Sequence, residues 1–198
     1  MSKAVVIGNG ESRRDINLEE YKPEYTFIGC NALHRDIIVD HLICCDRRMA
    51  VEASENPNTK DTLIYVRDSW YHYFRKILKN KNIRVVPELP YKGDTKKDDS
   101  EHWGSGCFAV LLAASLGFDE IEIIGFDLYP IDQTVNNIYK DSANYAKAGS
   151  RAVDPSYWIY QLAQVFRYYP NTKFIIKNKQ HWVVPTEWQK DNVKVIAL

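Results

Sequence analysis

The chain has no Cys-x-x-Cys pair, no third glycine behind its first Gly-x-Gly, no net charge, and no apolar run near the ~20 residues that a spanning helix needs. Each absence excludes a class. Without Cys-x-x-Cys spacing, Cys30, Cys44, Cys45 and Cys107 read as reduced core thiols, neither a zinc set nor a redox pair. Lys plus Arg balance Asp plus Glu at 26 each, so no overall field draws the chain to nucleic acid or an anionic bilayer. An apolar signal core behind a basic start is also missing, and with no transmembrane segment expected the reading is a cytoplasmic protein. His34, His41, His72 and His181 have no partner at ligand spacing, so no metal is assigned.

At 198 residues and 45% hydrophobic content, the chain suits one well-buried domain, 1–198, with no linker and no internal repeat. The organising stretch comes first. Lys3 to Ile7 is an apolar, β-branched run that breaks at Gly8, Asn9, Gly10, Glu11 and Ser12, which reads as a buried strand feeding a tight loop. Two readings stay open there: a backbone nest for phosphate with Asn9 or Ser12 assisting, or a plain turn with Ser12 capping a helix. Further strands are expected over Tyr25 to Cys30, His41 to Cys45, Thr62 to Val66, Ile83 to Val86 and Glu120 to Ile124, with Lys173 to Ile176 and Val193 to Ile196 as late, peripheral ones. Helices are expected over Arg47 to Glu55, Ser69 to Asn80, Ser105 to Leu116 and Ser156 to Tyr169.

Alternating strands and helices, with strands apolar throughout, predict an α/β fold: a Rossmann-like, mostly parallel sheet with helices on both faces. Ligands of such sheets lie beyond the strands' carboxyl ends. That rule gathers the glycine loop, Asn31, Asp46 and Asp127 at one edge, and the Gly104-Ser105-Gly106 start of a buried helix offers either a second anion site or close packing. Two polar segments, 87–102 and 128–155, read as flexible covers, with His102 at the close of the first and Tyr129, Tyr139 and Tyr145 in the second. Gln180 to Trp188 reads as a core flap or a contact in a homo-oligomer.

The order of motifs resembles the bacterial lipooligosaccharide sialyltransferases that use CMP-sialic acid. The matching features are the strand into Gly-Asn-Gly-x-Ser, Cys30-Asn31 after the second strand, Ser105-Gly106 opening an Ala-rich helix, Leu116-Gly117-Phe118-x-Glu120-Ile121, and Gly125-Phe126-Asp127-Leu128-Tyr129. They span about the first two thirds of the chain. The resemblance implies an inverting glycosyltransferase that needs no metal cofactor, with Gly8, Asn9, Gly10, Asn31, Ser105 and Gly106 holding the nucleotide of a CMP-sugar donor and Tyr129 steadying the departing phosphate. A glycan or small molecule would be the acceptor. The family's base is a histidine in the cover, and no histidine occurs from Leu128 to Asn178, which moves that role to His102 or Asp127. Asp46 stands where the family tends to have asparagine. Both departures favour a second resemblance, to the archaeal-type hydroxymethyldihydropterin pyrophosphokinase-like proteins, which would place ATP and Mg²⁺ against Asp46 and Asp127. A nucleotide-binding protein that has lost catalysis is the third reading.

Overall fold

A computed structural model describes residues 1–78 and 82–198, so the part of the expected helix Ser69 to Asn80 that falls on 79–81 lies outside the described residues. Eight strands form one sheet: β1 (Lys3–Ile7), β2 (Thr26–Cys30), β3 (His41–Ile43), β4 (Leu63–Val66), β5 (Ile83–Val85), β6 (Glu120–Ile124), β7 (Lys173–Asn178) and β8 (Val193–Ala197). Their spatial order is β5-β4-β3-β2-β1-β6-β7-β8, and every pairing is parallel. The helices are α1 (Arg47–Glu55), α2 (Asp68–Ile77), α3 (Ser105–Ser115) and α4 (Ser156–Tyr168). The chain is thus α/β with a Rossmann-like parallel sheet, as its alternation predicts.

The period-2 alternation of each strand feeds two cores. Val6, Ile28, Ile121, Ile123, Phe174 and Ile176 pack under α3 and α4, where Phe108, Leu111, Leu162 and Phe166 close the layer. Val5, Ile7, Leu42, Ile64 and Ile124 pack on the opposite face against Met49, Ala50 and Ala53 of α1 and Phe74 of α2. Helix α3 is apolar nearly all round because it lies in the centre of its layer, with Cys107 to Ala114 all buried.

On the second face, beside α1 and α2, Glu120 and Glu122 project from β6, and Lys173 and Lys177 close on them at 2.6 and 2.7 Å. Tyr25 donates its hydroxyl to Glu122 at 3.0 Å, and the Lys177 ammonium donates to the Tyr21 hydroxyl at 3.0 Å. Helices thus lie on both faces of the sheet, as expected, and a tyrosine and ion-pair layer adjoins them over β6 and β7. The expectation of two peripheral late strands needs correcting, since β7 runs between β6 and β8 with Phe174, Ile175 and Ile176 buried, and only β8 is an edge. Within the 180–188 stretch Trp188 is buried in the core and donates its indole N–H to the Ile159 carbonyl at 2.9 Å, while Val183 is exposed.

Candidate functional site

From β1 the chain steps outward through β2, β3, β4 and β5, then returns to lay β6 on the other flank of β1. That reversal is a topological switch point, and loops leaving neighbouring strands there diverge and leave a crevice. A cleft of about 380 Å³ lies at this place, lined by the turns after β1 and β6, by Asn31 after β2, and by the start of α3. Its size falls in the range of roughly 300–1,000 Å³ typical of small-molecule sites.

The two turns lock together. Gly8 N–H donates to the Ile124 carbonyl at 2.8 Å and Gly10 N–H to the Gly125 carbonyl at 2.9 Å. The approach is so close that a Cβ on Gly8 would overlap the Gly125 carbonyl and come within 2.8 Å of the Phe126 ring. A Cβ on Gly10 would run into the Asp127 carboxylate. These glycines are fixed by space, which the bare Gly-x-Gly did not reveal.

The glycine loop is not an open phosphate nest. Besides Gly8 and Gly10, Glu11 N–H donates to Asn136 Oδ1 at 3.0 Å, and Ser12 N–H donates to Asp127 Oδ2 at 2.9 Å. Ser12 also donates its hydroxyl to Asp127 Oδ1. The carboxylate of Asp127, which is 8% exposed, stands where the outward-facing reading put a phosphate. Backbone carbonyls take the Gly8 and Gly10 N–H groups, the Asn136 amide takes that of Glu11 and the Asp127 carboxylate that of Ser12, whose side chain orients the carboxylate rather than capping a helix.

The donors left for a ligand lie across the cleft. Helix α3 has Gly104 at its cap position with no side-chain cap, and helix geometry leaves the first N–H groups, at Ser105, Gly106 and Cys107, without intrahelical acceptors. These residues line the cleft, so the positive end of an 11-residue helix opens into it. Ser105 Oγ itself accepts from Cys45 N–H at 3.0 Å, which pins α3 to the end of β3.

Acceptors come from two asparagines. Asn9 donates Nδ2 to the Cys30 carbonyl at 3.1 Å and to the Tyr145 hydroxyl at 3.2 Å, which leaves its buried Oδ1 with no partner among the described residues. Asn31, in the left-handed region at φ +52°, likewise keeps a buried, unpartnered Oδ1. Buried carbonyl oxygens seldom go unpaired, because stripping water from one costs about 1–3 kcal/mol. Both residues border the same cleft.

Tyr129 lines the cleft, and burial pushes its phenol above the usual value, so it stays a proton donor at neutral pH. Burial also raises the Cys30 thiol to about 12 and the Cys107 thiol further, so both cleft thiols are protonated and inert as nucleophiles. No Lys or Arg is among the lining residues, and Asp127 is the sole carboxylate there.

The structure brings Gly8, Asn9, Gly10, Asn31, Ser105, Gly106, Asp127 and Tyr129 to the cleft and leaves out three expected residues. Ser12 sits behind Asp127. Asp46 is exposed and caps α1, its Oδ1 accepting from Arg48 and Met49 N–H at 2.8 and 3.3 Å. His102 is exposed, its ring edge-on to Tyr157 at 6.4 Å, and does not line the cleft. Asp46 follows β3 and Asp127 follows β6, three inter-strand spacings apart, or about 14 Å. That span is too wide for one magnesium ion to bridge, so the pair does not fit the ATP and Mg²⁺ arrangement. Among the described residues no group of three His, Cys, Asp or Glu side chains is placed to hold a metal. Sequence reasoning missed Asn136, Asn137 and Trp158 as lining residues. The Asn-Asn pair inside a polar excursion was the available signal for the first two.

The two cover segments differ. Residues 87–102 are held against α4 by Tyr160, which donates to Asp98 at 2.7 Å, and by Arg67, which donates to the Ser100 carbonyl, and they do not border the cleft. Residues 128–155 form the cleft's outer wall. Arg13 reaches the Tyr139 hydroxyl at 2.8 Å, Arg35 reaches Ser142 Oγ and the Ala143 carbonyl at 2.7 and 2.8 Å, and Asn144 donates to Glu52 at 2.8 Å.

Acid is expected to loosen this wall. The bond from Arg35 holds the Glu52 carboxyl below 4.5, so its stabilisation is present above that value and is lost as pH falls through the depressed folded one. Burial lowers the neighbouring His34, 3.4 Å from Glu52, so protons favour the unfolded chain from about 6.5 downward. Hydrogen exchange over 139–145, corrected for intrinsic rate, should rise from pH 6.5 and more steeply below 4.5, and Glu52→Gln should remove the second step. A pH-independent protection would show that the clamp contributes nothing.

Fold and site together define an α/β protein with a ligand-sized cleft at the switch point of a parallel sheet. Comparison with known proteins finds no match, whether to a family model, a curated protein or a solved structure. No helix of the described residues is long and apolar enough to cross a membrane.

Proposed function

We propose that the protein is a nucleotide-sugar-dependent glycosyltransferase, sialyltransferase-like, that transfers a sugar with inversion from a CMP-sugar to an acceptor. The observation that carries this reading is the pairing, in one cleft, of two unpartnered amide oxygens, Asn9 Oδ1 and Asn31 Oδ1, with the uncapped start of α3. The amide oxygens suit the N–H and O–H donors of a nucleoside, and the helix start suits a phosphate. The absence of Lys and Arg from the lining favours the single charge of a phosphodiester over a triphosphate, whose extra charge would need cations.

In this reaction the acceptor hydroxyl oxygen attacks the anomeric carbon from the side opposite the phosphate, and the carbon–oxygen bond to phosphate breaks. The acceptor proton passes to Asp127, whose oxygens each have a lone pair beyond those used by Ser12. Tyr129 donates to the departing phosphate. His102 has no part in this scheme.

One observation favours a second reading, a nucleotide-binding protein without turnover: the lining has no histidine, and its one carboxylate is already engaged by Ser12. Thermal unfolding with CMP, CDP, and ATP plus Mg²⁺ tests the nucleotide class. At 100 times its dissociation constant, CMP is expected to add about 2.7 kcal/mol, or roughly 5–10 °C. Stabilisation by ATP with Mg²⁺ and none by CMP would end the CMP reading, and release of CMP from a panel of CMP-sugars separates the transferase from the binding protein.

A further inference from the structure

Beside the cleft, and sharing Pro130, Ala152 and Val153 with it, lies a second basin of about 560 Å³ whose rim holds Arg151 and Asp154. The two cavities are halves of one trough. The first half has no cationic side chain. The second has Arg151, whose guanidinium is engaged by no hydrogen bond or ion pair among the described residues. Asp154 is not paired with it: that carboxylate accepts from Ser156 N–H at 2.9 Å at the positive start of α4.

The backbone holds Arg151 in place. It bridges antiparallel to Thr134, with Ala152 N–H donating to the Gln133 carbonyl and Val135 N–H to the Ser150 carbonyl, each at 3.1 Å. The turn from Ile131 to Thr134 carries two consecutive left-handed residues, Asp132 at φ +48° and Gln133 at φ +62°. Left-handed pairs are what a tight two-residue hairpin requires, and aspartate suits the first position while Gln133 stands where glycine is usual, the kind of backbone strain that gathers at ligand clamps. The hairpin thus fixes the backbone of Arg151, whose exposed and unpaired guanidinium shares the lining of this basin with the apolar Pro130, Val153 and Pro155.

We infer that this basin is the acceptor subsite and that the acceptor carries an anionic group, a carboxylate or a phosphate, which Arg151 grips while its hydroxyl reaches into the cleft. The inference rests on the reading of the cleft as the donor site. A guanidinium matches both groups through paired N–H bonds, and the floor accommodates the carbon face of a sugar ring.

The test uses ligand titrations followed by NMR on the full chain, with and without saturating CMP, using methyl β-D-glucuronide, glucose 1-phosphate and the neutral methyl β-D-glucoside as probes. At least one anionic probe is expected to bind tenfold or more tightly than the glucoside, and which one does so tells carboxylate from phosphate. Arg151→Ala should abolish that preference, Arg151→Lys should keep part of it, and neither should change CMP affinity by more than about twofold. Equal binding of the three probes, or a preference that survives Arg151→Ala, would overturn the inference. If CMP fails to bind at all, the donor reading fails, while probe selectivity without CMP still decides whether Arg151 makes an anion subsite.

Discussion

Gly8→Ala is expected to lower stability by about 3 kcal/mol and the unfolding midpoint by roughly 6–12 °C. The added methyl meets the Gly125 carbonyl and the Phe126 ring, and a backbone oxygen, unlike a side-chain end, cannot swing aside. To admit it, the turns after β1 and β6 must part. That breaks the bonds from Gly8 to Ile124 and from Gly10 to Gly125 and widens the cleft whose walls they form. On the proposed function, CMP binding should therefore fall along with stability. Gly149→Ala is the control: nothing lies within 4 Å of its Cβ position, so the change should stay within about 1 kcal/mol. Urea denaturation of both variants decides the matter, and equal midpoints would mean that the two turns are not rigidly coupled.

The elements were legible because their apolar runs are local. The unbroken runs from Ala4 to Ile7 and from Cys107 to Ala114 disclose buried strand and helix without reference to distant residues. The carboxyl-end rule gathers the glycine loop, Asn31, Asp46 and Asp127, and of these Gly8, Asn9, Gly10, Asn31 and Asp127 do border one cleft, since the rule depends only on strand direction. What failed depended on partners far away in sequence. The loop's N–H groups looked available because the groups that satisfy them, Asp127 and Asn136, lie more than 100 residues downstream. Asp46 looked like a ligand because a helix-capping aspartate and a metal-binding one are the same residue type after the same strand end. His102 was assigned from a loop expected to close on the cleft, but that loop is held against α4 by Tyr160 and Asp98. The lack of any histidine from Leu128 to Asn178 is readable in the sequence, and no histidine is among the residues that line the cleft.

The second large effect is expected at Asp127, where two substitutions separate its two jobs. Asp127→Ala leaves the buried Ser12 N–H and hydroxyl without their acceptor and should cost about 1–3 kcal/mol. Asp127→Asn can keep both contacts, since its Oδ1 accepts from Ser12 N–H while its Nδ2 donates to Ser12 Oγ, and stability should change by less than about 1 kcal/mol. The asparagine cannot take up a proton. If Asp127 is the base for the acceptor hydroxyl, Asp127→Asn should lose about 10²- to 10⁴-fold in turnover while folding normally. Its affinity for CMP should hold or rise, because the one negative charge in the lining has gone. Ser12→Ala supplies the remaining comparison: it removes the hydroxyl bond but leaves the carboxylate, so it should lower turnover far less than Asp127→Asn does. Turnover unchanged in Asp127→Asn would reduce Asp127 to a brace for the glycine loop, with deprotonation left to solvent or to the acceptor itself. Loss of CMP binding in Asp127→Asn would instead show that the internal anion shapes the nucleotide site, because a neutral amide in the same place would then have failed to hold the loop in register.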